Sequence, residues 1–366
     1  MNQIDNSCIN RINPYSDLPA SSFWSTGVVS NSPFFMDGIY KKKFDILPEE
    51  KIATAGSCFA QHISRELKKN NYRLLNLEPS PPNLPEKIAK KYWYNIYSAR
   101  YGNIYTVHQL LQLIQESIGE FEPKNYIWEK CNRYYNALRP SVEPNGFETI
   151  DELLRSRKYH LSKVIELIKE MDVFIFTLGL TEAWRDKTSL TVYPTGPGVI
   201  AGRYDQSIFE FCNFSYNEIV TAFNKILLKF KQIRTNNKEI KIILTVSPVP
   251  LTATCDQSQH VLPATVYSKS TLRAVAGDLE KMYSFIDYFP SFEIITNPCS
   301  RSCFYESNLR SIRIEAVDFV MNTFFSAHGK TPYQEKNNNK QINLNEKQDN
   351  IDDIICDEAI LELLRK

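Results

Sequence analysis

No stretch of the 366-residue sequence approaches the roughly 20 consecutive apolar residues of a membrane-spanning helix, so no membrane span is expected. Charge of one sign is not in excess either. Lysine and arginine number 43 against 42 aspartates and glutamates, a formal balance of +1, which leaves no electrostatic footprint for nucleic acid or an anionic membrane. The eight cysteines lack C-x-x-C pairs, with only Cys299 and Cys303 at C-x3-C spacing, so neither a zinc ribbon nor a disulfide framework is indicated. No two of the five histidines show ligand spacing with a carboxylate, and no metal or other cofactor is expected. Tyr193-Pro194-Thr195-Gly196-Pro197-Gly198 is rich in turn residues but lacks the spacing and lysine of a phosphate-binding loop. Met1-Asn2-Gln3-Ile4-Asp5-Asn6 has neither the basic nor the apolar region of a signal peptide. A reduced, cytoplasmic protein is the expectation.

What is present is an alternation. Residues 51–55 form an apolar run, and 72–77 form a second short one. Leucines and isoleucines at three- and four-residue spacing over 106–118, 150–171, 215–233 and 265–286 predict amphipathic helices. Near-continuous apolar runs at 172–177 and 240–246, with a further strand at 292–296, predict strands covered on both faces. Helices alternating with two-sided strands imply a three-layer α/β/α sandwich on a mainly parallel sheet. A helix over 313–325 completes it. Residues 1–50, with Pro, Ser, Trp and Phe in little periodicity, read as an arm packed on the core. The α/β domain then spans 51–330, a polar linker 331–350, and a short amphipathic helix 351–366 that docks on the body or on a partner, self-association included.

Ligands of open α/β sheets sit at the carboxyl ends of the strands. There the first run ends in Gly56-Ser57-Cys58 and leads straight into a helical pattern, so Ser57 stands where free N–H groups and the helix dipole favour developing negative charge. Gly179-Leu180-Thr181-Glu182 follows the second long run, and Ser247-Pro248 the third, continuing to Asp256 and His260. A serine hydrolase needs a hydroxyl, an imidazole and oxyanion donors. In that scheme Ser57 attacks, His260 is the base, Asp256 or Glu182 orients it, and the N–H groups of Ser57 and Gly179 with the Asn103 amide hold the oxyanion. Capping of the helix is the plainer role for Ser57. Cys58 is an alternative nucleophile and His62, one turn on, an alternative base. Lys269 and Arg273 form a basic stripe, solvated or placed to meet an anion at a pocket mouth.

Gly56-Ser57-Cys58-Phe59-Ala60 resembles the signature of the GSCFA family, as do Tyr101-Gly102-Asn103-Ile104-Tyr105-Thr106, Thr177-Leu178-Gly179-Leu180-Thr181-Glu182-Ala183-Trp184, Leu244-Thr245-Val246-Ser247-Pro248-Val249-Pro250, His260-Val261-Leu262 with Tyr267-Ser268-Lys269-Ser270, and Tyr288-Phe289-Pro290-Ser291-Phe292-Glu293. The resemblance covers about residues 50–325. That family looks related to the SGNH or GDSL esterases, which implies a flavodoxin-like, SGNH-hydrolase-like sandwich, Ser57 as nucleophile and Gly102 as an oxyanion glycine. Two departures accompany it. Thr181 stands where those enzymes carry an oxyanion asparagine, and Glu306-Ser307-Asn308-Leu309-Arg310-Ser311 lacks the histidine of their Asp-x-x-His block.

The expected function is a serine esterase or acyltransferase acting on an acylated carbohydrate or small-molecule ester. A non-catalytic carbohydrate- or acyl-carrier-binding protein and a coenzyme A-dependent acetyl transferase of polysaccharide assembly stand as alternatives.

Overall fold

The computed structural model describes residues 13–36, 38–235, 238–329 and 361. The linker expected at 331–350 lies outside the described residues, as does the helix at 351–366 apart from residue 361.

In chain order the first half contains β1 (Ile52–Gly56), α1 (Phe59–Lys69), α2 (Glu86–Lys91), α3 (Val107–Ser117), β2 (Ile127–Lys130), β3 (Arg133–Asn136), α4 (Ile150–Glu170) and β4 (Val173–Leu178). The second half contains β5 (Glu182–Asp186), β6 (Val192–Tyr193), β7 (Phe209–Asn213), α5 (Tyr216–Ile233), β8 (Lys241–Val246), α6 (Val261–Met282), β9 (Ile286–Tyr288), α7 (Ser291–Thr296) and α8 (Ile314–Ala327). The central sheet has the order β1-β4-β8-β9, and every pair is parallel. Leu74 adds an isolated parallel bridge on the free side of Ile52, all that forms of the strand expected at 72–77.

Alternation along each strand divides the core into two layers. Ala53, Ala55, Phe174, Phe176, Ile242 and Leu244 point into a layer closed by α3, α4, α5 and α6. Ile52, Val173, Ile175 and Ile243 point the other way, onto α1, α7 and α8. The apolar runs are continuous because both faces are covered. Helix starts are written locally: Thr106 with Gln109, Thr149 with Glu152 and Ser215 with Glu218 each form a capping box that satisfies the first backbone donors.

Residues 292–296, expected as a strand, form α7 instead, and the edge strand is β9 just before it. Asp287 hides β9 in the sequence. Its buried carboxylate is satisfied by the Tyr40 hydroxyl at 2.9 Å and the Lys43 N–H at 3.0 Å, so a charged residue sits inside a strand without an unpaired cost. Two antiparallel units add to the expected elements: the β2–β3 hairpin and a three-stranded sheet, β6-β5-β7. The hairpin turns through Cys131 and Asn132, both at positive φ, as a two-residue type I′ turn requires. In the N-terminal arm Tyr40 and Ile46 are buried, whereas Trp24 and Phe35 are largely exposed. There side chains satisfy the backbone locally, Thr26 Oγ1 donating to Ala20 O and Asn31 Nδ2 to Thr26 O, without burying those rings.

Four histidines are drawn inward. His108 stacks on Phe214 with centroids 3.6 Å apart, and His328 packs on Phe324 at 4.6 Å. Burial is the leading cause that lowers all four imidazoles, to about 3 at His62 and His160 and about 4 at His108 and His328. A folded value below the unfolded one near 6.5 means that unfolding takes up protons, so stability is complete above that value and is lost as pH falls through the window beneath it. The urea midpoint should stay level between about pH 8 and 7, then fall continuously from about 6.5 to 4, with about three to four protons taken up near pH 5. A midpoint unchanged down to about pH 5 would contradict neutral, buried imidazoles.

Candidate active site

β1 delivers Ser57 to the carboxyl edge of the sheet through a glycine no other residue can replace cheaply. Gly56 has φ of +139°, and a Cβ there would lie 2.5 Å from the Thr177 carbonyl oxygen and 2.8 Å from Thr177 Cβ. The chain therefore turns against β4 as it leaves the strand. The Ser57 N–H donates to Thr177 O at 3.3 Å, and its carbonyl accepts from the Ala60 N–H at 2.8 Å and the Tyr97 hydroxyl at 2.9 Å.

The side chain itself is left over. Ser57 is 3% exposed, and its Oγ has no hydrogen-bond partner. It does not cap α1, whose N-cap residue is the buried Cys58 with no side-chain cap bond. An unpaired buried hydroxyl costs about 1–3 kcal/mol, and such groups call for an explanation.

Gly179 closes on Ser57 from β4. A Cβ on Gly179 would lie 3.0 Å from Ser57 Cβ and 2.9 Å from Tyr105 O, so the second glycine is a matter of space. Its N–H and that of Leu180 both donate to Tyr105 O, at 3.2 and 2.9 Å. The N–H groups expected to hold an oxyanion, those of Ser57 and Gly179, are thus engaged with carbonyls in this state. Asn103 is buried and equally engaged: Nδ2 donates to the Tyr105 hydroxyl at 3.0 Å, while Oδ1 accepts from Tyr97 OH at 2.8 Å and Gln61 Nε2 at 3.3 Å. Gly102, at φ +73°, makes the turn into this segment, and the Ile104 N–H ties it to Gly56 O at 2.9 Å.

Buried charge braces the segment from behind. Glu78 accepts from the Arg100 N–H at 2.7 Å and from His160 Nδ1 at 2.7 Å, and Arg139 donates to Arg100 O at 2.9 Å. Burial alone raises the Glu78 carboxyl, but His160, Arg139 and the Arg100 N–H outweigh it and hold the pKa at about 2.

The imidazoles do not join Ser57. His260 is exposed and caps α6, its Nδ1 accepting from the Leu262 N–H at 3.1 Å. With about 1.5 Å of rise per residue, it stands about 13 Å further along the axis than Lys269. Asp256 does not orient it: that carboxylate accepts from the Ser258 N–H and hydroxyl and from Gln259 Nε2, and the Ser258 bonds lower its pKa. Glu182 is buried and accepts from Thr254 Oγ1 at 2.9 Å. The expected Ser57–His260–Asp256 or Glu182 relay is therefore not assembled, because α6 carries its first turns past the sheet edge. His62 is buried with Nδ1 3.1 Å from Arg65 Nη2. A guanidinium only donates, so the neutral ring's proton resides on Nε2, and no second lone pair is left to receive one.

Lys269 departs from the solvated stripe expected of it. It is 2% exposed, and its Nζ donates to Gly179 O at 2.7 Å. Its neighbour Ser268 accepts from the Thr181 N–H at 3.0 Å, and Thr181 is itself buried with an unpartnered Oγ1. Arg273 is engaged too, bonded to Glu293 and lying 3.9 Å over the Tyr288 ring. Among the described residues no three His, Cys, Asp or Glu side chains gather where they could hold a metal ion. A groove of about 280 Å³ runs beside α1, lined by Gln61, Arg65, Lys68, Lys90 and Tyr94 among others.

The sequence model of the GSCFA family matches residues 51–324, from the residue before β1 to within α8. The chain belongs to the GSCFA family. No curated protein and no solved structure matches it. The residues bonded around the Ser57 turn and the loop after β4 that spacing did not reveal are Tyr97, Tyr105, Gln61 and Ser268. Gln61 was reachable, four residues after Ser57 and so on the same helix face; the tyrosines carry no periodic signal.

Gly56→Ala should cost about 3 kcal/mol or more through combined strain and overlap, and Gly179→Ala about 1–3 kcal/mol through overlap alone, read as lowered urea midpoints. A Gly56→Ala midpoint equal to wild type would contradict the close β1–β4 approach.

Proposed function

We propose that this GSCFA-family chain is a serine acyl-transfer enzyme, an esterase or O-acyltransferase of the SGNH kind, that acts on an acylated carbohydrate or related small-molecule ester through an acyl-Ser57 intermediate. One observation carries the reading: the Ser57 hydroxyl is buried, bonded to nothing, and stands at the start of α1 between Gly56 and Gly179. Most buried hydroxyls used for packing or capping are paired. The helix N-terminus beside it favours negative charge developing at that point. The parallel sheet with helices on both faces is the architecture the SGNH relationship calls for. The described cysteines Cys58, Cys131, Cys212, Cys255, Cys299 and Cys303 are free thiols, which suits a reduced, cytoplasmic setting.

A second reading is a binding protein for a carbohydrate or an acyl carrier on the same fold. It is favoured by His260, which caps a helix and does not meet Ser57.

A fluorophosphonate probe should label the wild-type protein on Ser57, and Ser57→Ala should abolish labelling while circular dichroism and the thermal midpoint stay close to wild type. Equal labelling of both proteins excludes Ser57 as the nucleophile. Saturable binding of a carbohydrate that survives Ser57→Ala, with no labelling and no turnover of acyl esters, would establish the binding reading in its place.

A further inference from the structure

Ser57 needs a proton acceptor, and the basic side chain that the fold carries to its strand end is a lysine. We propose that Lys269 is the general base for Ser57, an inference that rests on the acyl-serine reading above. Ser268 and Lys269 are consecutive residues of α6, and both reach the loop after β4: Ser268 holds the Thr181 N–H at 3.0 Å and Lys269 the Gly179 carbonyl at 2.7 Å. Gly179 in turn lies against Ser57, an ideal Cβ on it falling 3.0 Å from Ser57 Cβ. Standard covalent geometry then limits the separation of Ser57 Cβ and Lys269 Nζ to at most about 9 Å. The flexible four-carbon stem of lysine covers the remainder once the amine leaves the carbonyl. Both groups are buried, at 3% and 2% exposure, so a proton passing between them is shielded from bulk water.

The amine must leave Gly179 O to reach Ser57, and once deprotonated it carries a lone pair, which a guanidinium never offers. Of the imidazoles considered for the role, His260 stands beyond the sheet edge as a helix cap, and His62 spends its Nδ1 lone pair on Arg65. Serine paired with lysine is an established alternative to serine paired with histidine.

In the step so assigned, Ser57 Oγ forms a bond to the ester carbonyl carbon as its proton moves to Lys269 Nζ. The tetrahedral intermediate collapses with cleavage of the bond to the alcohol oxygen, which takes the proton back from Nζ. Water or an acceptor hydroxyl then attacks the acyl-Ser57 carbonyl, giving its proton to Nζ, and Ser57 leaves as the hydroxyl when that proton returns to Oγ.

The test is the rate of fluorophosphonate labelling at Ser57, located by peptide mass spectrometry, from about pH 6 to 10. Lys269→Arg keeps a donor for Gly179 O and removes the base, so it should fold with an unchanged circular dichroism spectrum yet label about 100-fold or more slowly. Lys269→Ala should recover rate on addition of methylamine. His260→Ala should label within about twofold of wild type and with the same pH profile. Lys269→Arg labelling at the wild-type rate would make Lys269 a holder of Gly179 only and overturn the inference while leaving acyl-Ser57 intact. Loss of labelling in His260→Ala would also overturn it and return the role of base to that histidine. A wild-type protein that takes no label at Ser57 overturns both.

Discussion

The close approach of β1 and β4 at their carboxyl ends is the constraint from which the site follows. Parallel pairing sets Gly56 opposite Thr177, and at that level neither Gly56 nor Gly179 has room for a Cβ. Two missing methyl groups let Ser57 leave the sheet against β4 and let the loop after β4 fold back against Ser57. A hydroxyl placed this way owes its position to backbone, which is stiffer than any side-chain contact and is fixed by the sheet register. The 101–106 segment closes over the same point, bonding to Gly56 O and, through Tyr105 O, to Gly179 and Leu180.

Two polar systems hold that geometry from opposite sides. Glu78, His160, Arg139 and Arg100 form a buried network beneath the Gly102–Asn103 turn, where each charge has a partner and the cost of desolvation is offset. On the other side α6 pins Gly179 and Thr181 with Lys269 and Ser268. Between them Ser57 Oγ, Thr177 Oγ1 and Thr181 Oγ1 are buried without partners. These three hydroxyls cluster on the strand end and the loop after β4, and His160 Nε2 is unpartnered in the network as well.

The layered α/β architecture was legible because two-sided strands and one-sided helices leave different periods in sequence. Helices α3, α4 and α5 fall within a residue or two of their expected bounds for that reason. β9 was not legible, since Asp287 breaks its apolar run and its carboxylate is satisfied by the Tyr40 hydroxyl and the Lys43 N–H from more than 200 positions away, beside the adjacent Tyr288 N–H. The Glu182–Asp186 strand was hidden for a related reason: it is short and charged, and its pairing comes from β6 and β7. In the site, Ser57 and Gly179 could be read from the strand-to-helix and strand-to-loop transitions. The base could not. Spacing places His260 in a polar loop near the sheet but says nothing of how far α6 overshoots the edge, and it places Lys269 on a stripe without saying that the stripe faces inward.

A crystal structure of the protein after reaction with a small fluorophosphonate tests the central claim most directly. The account predicts phosphorus bonded to Ser57 Oγ, with Lys269 Nζ within hydrogen-bond distance of an oxygen of the adduct and His260 still capping α6. An adduct on another residue, or one on Ser57 with His260 drawn in and Lys269 unmoved at Gly179 O, would contradict it.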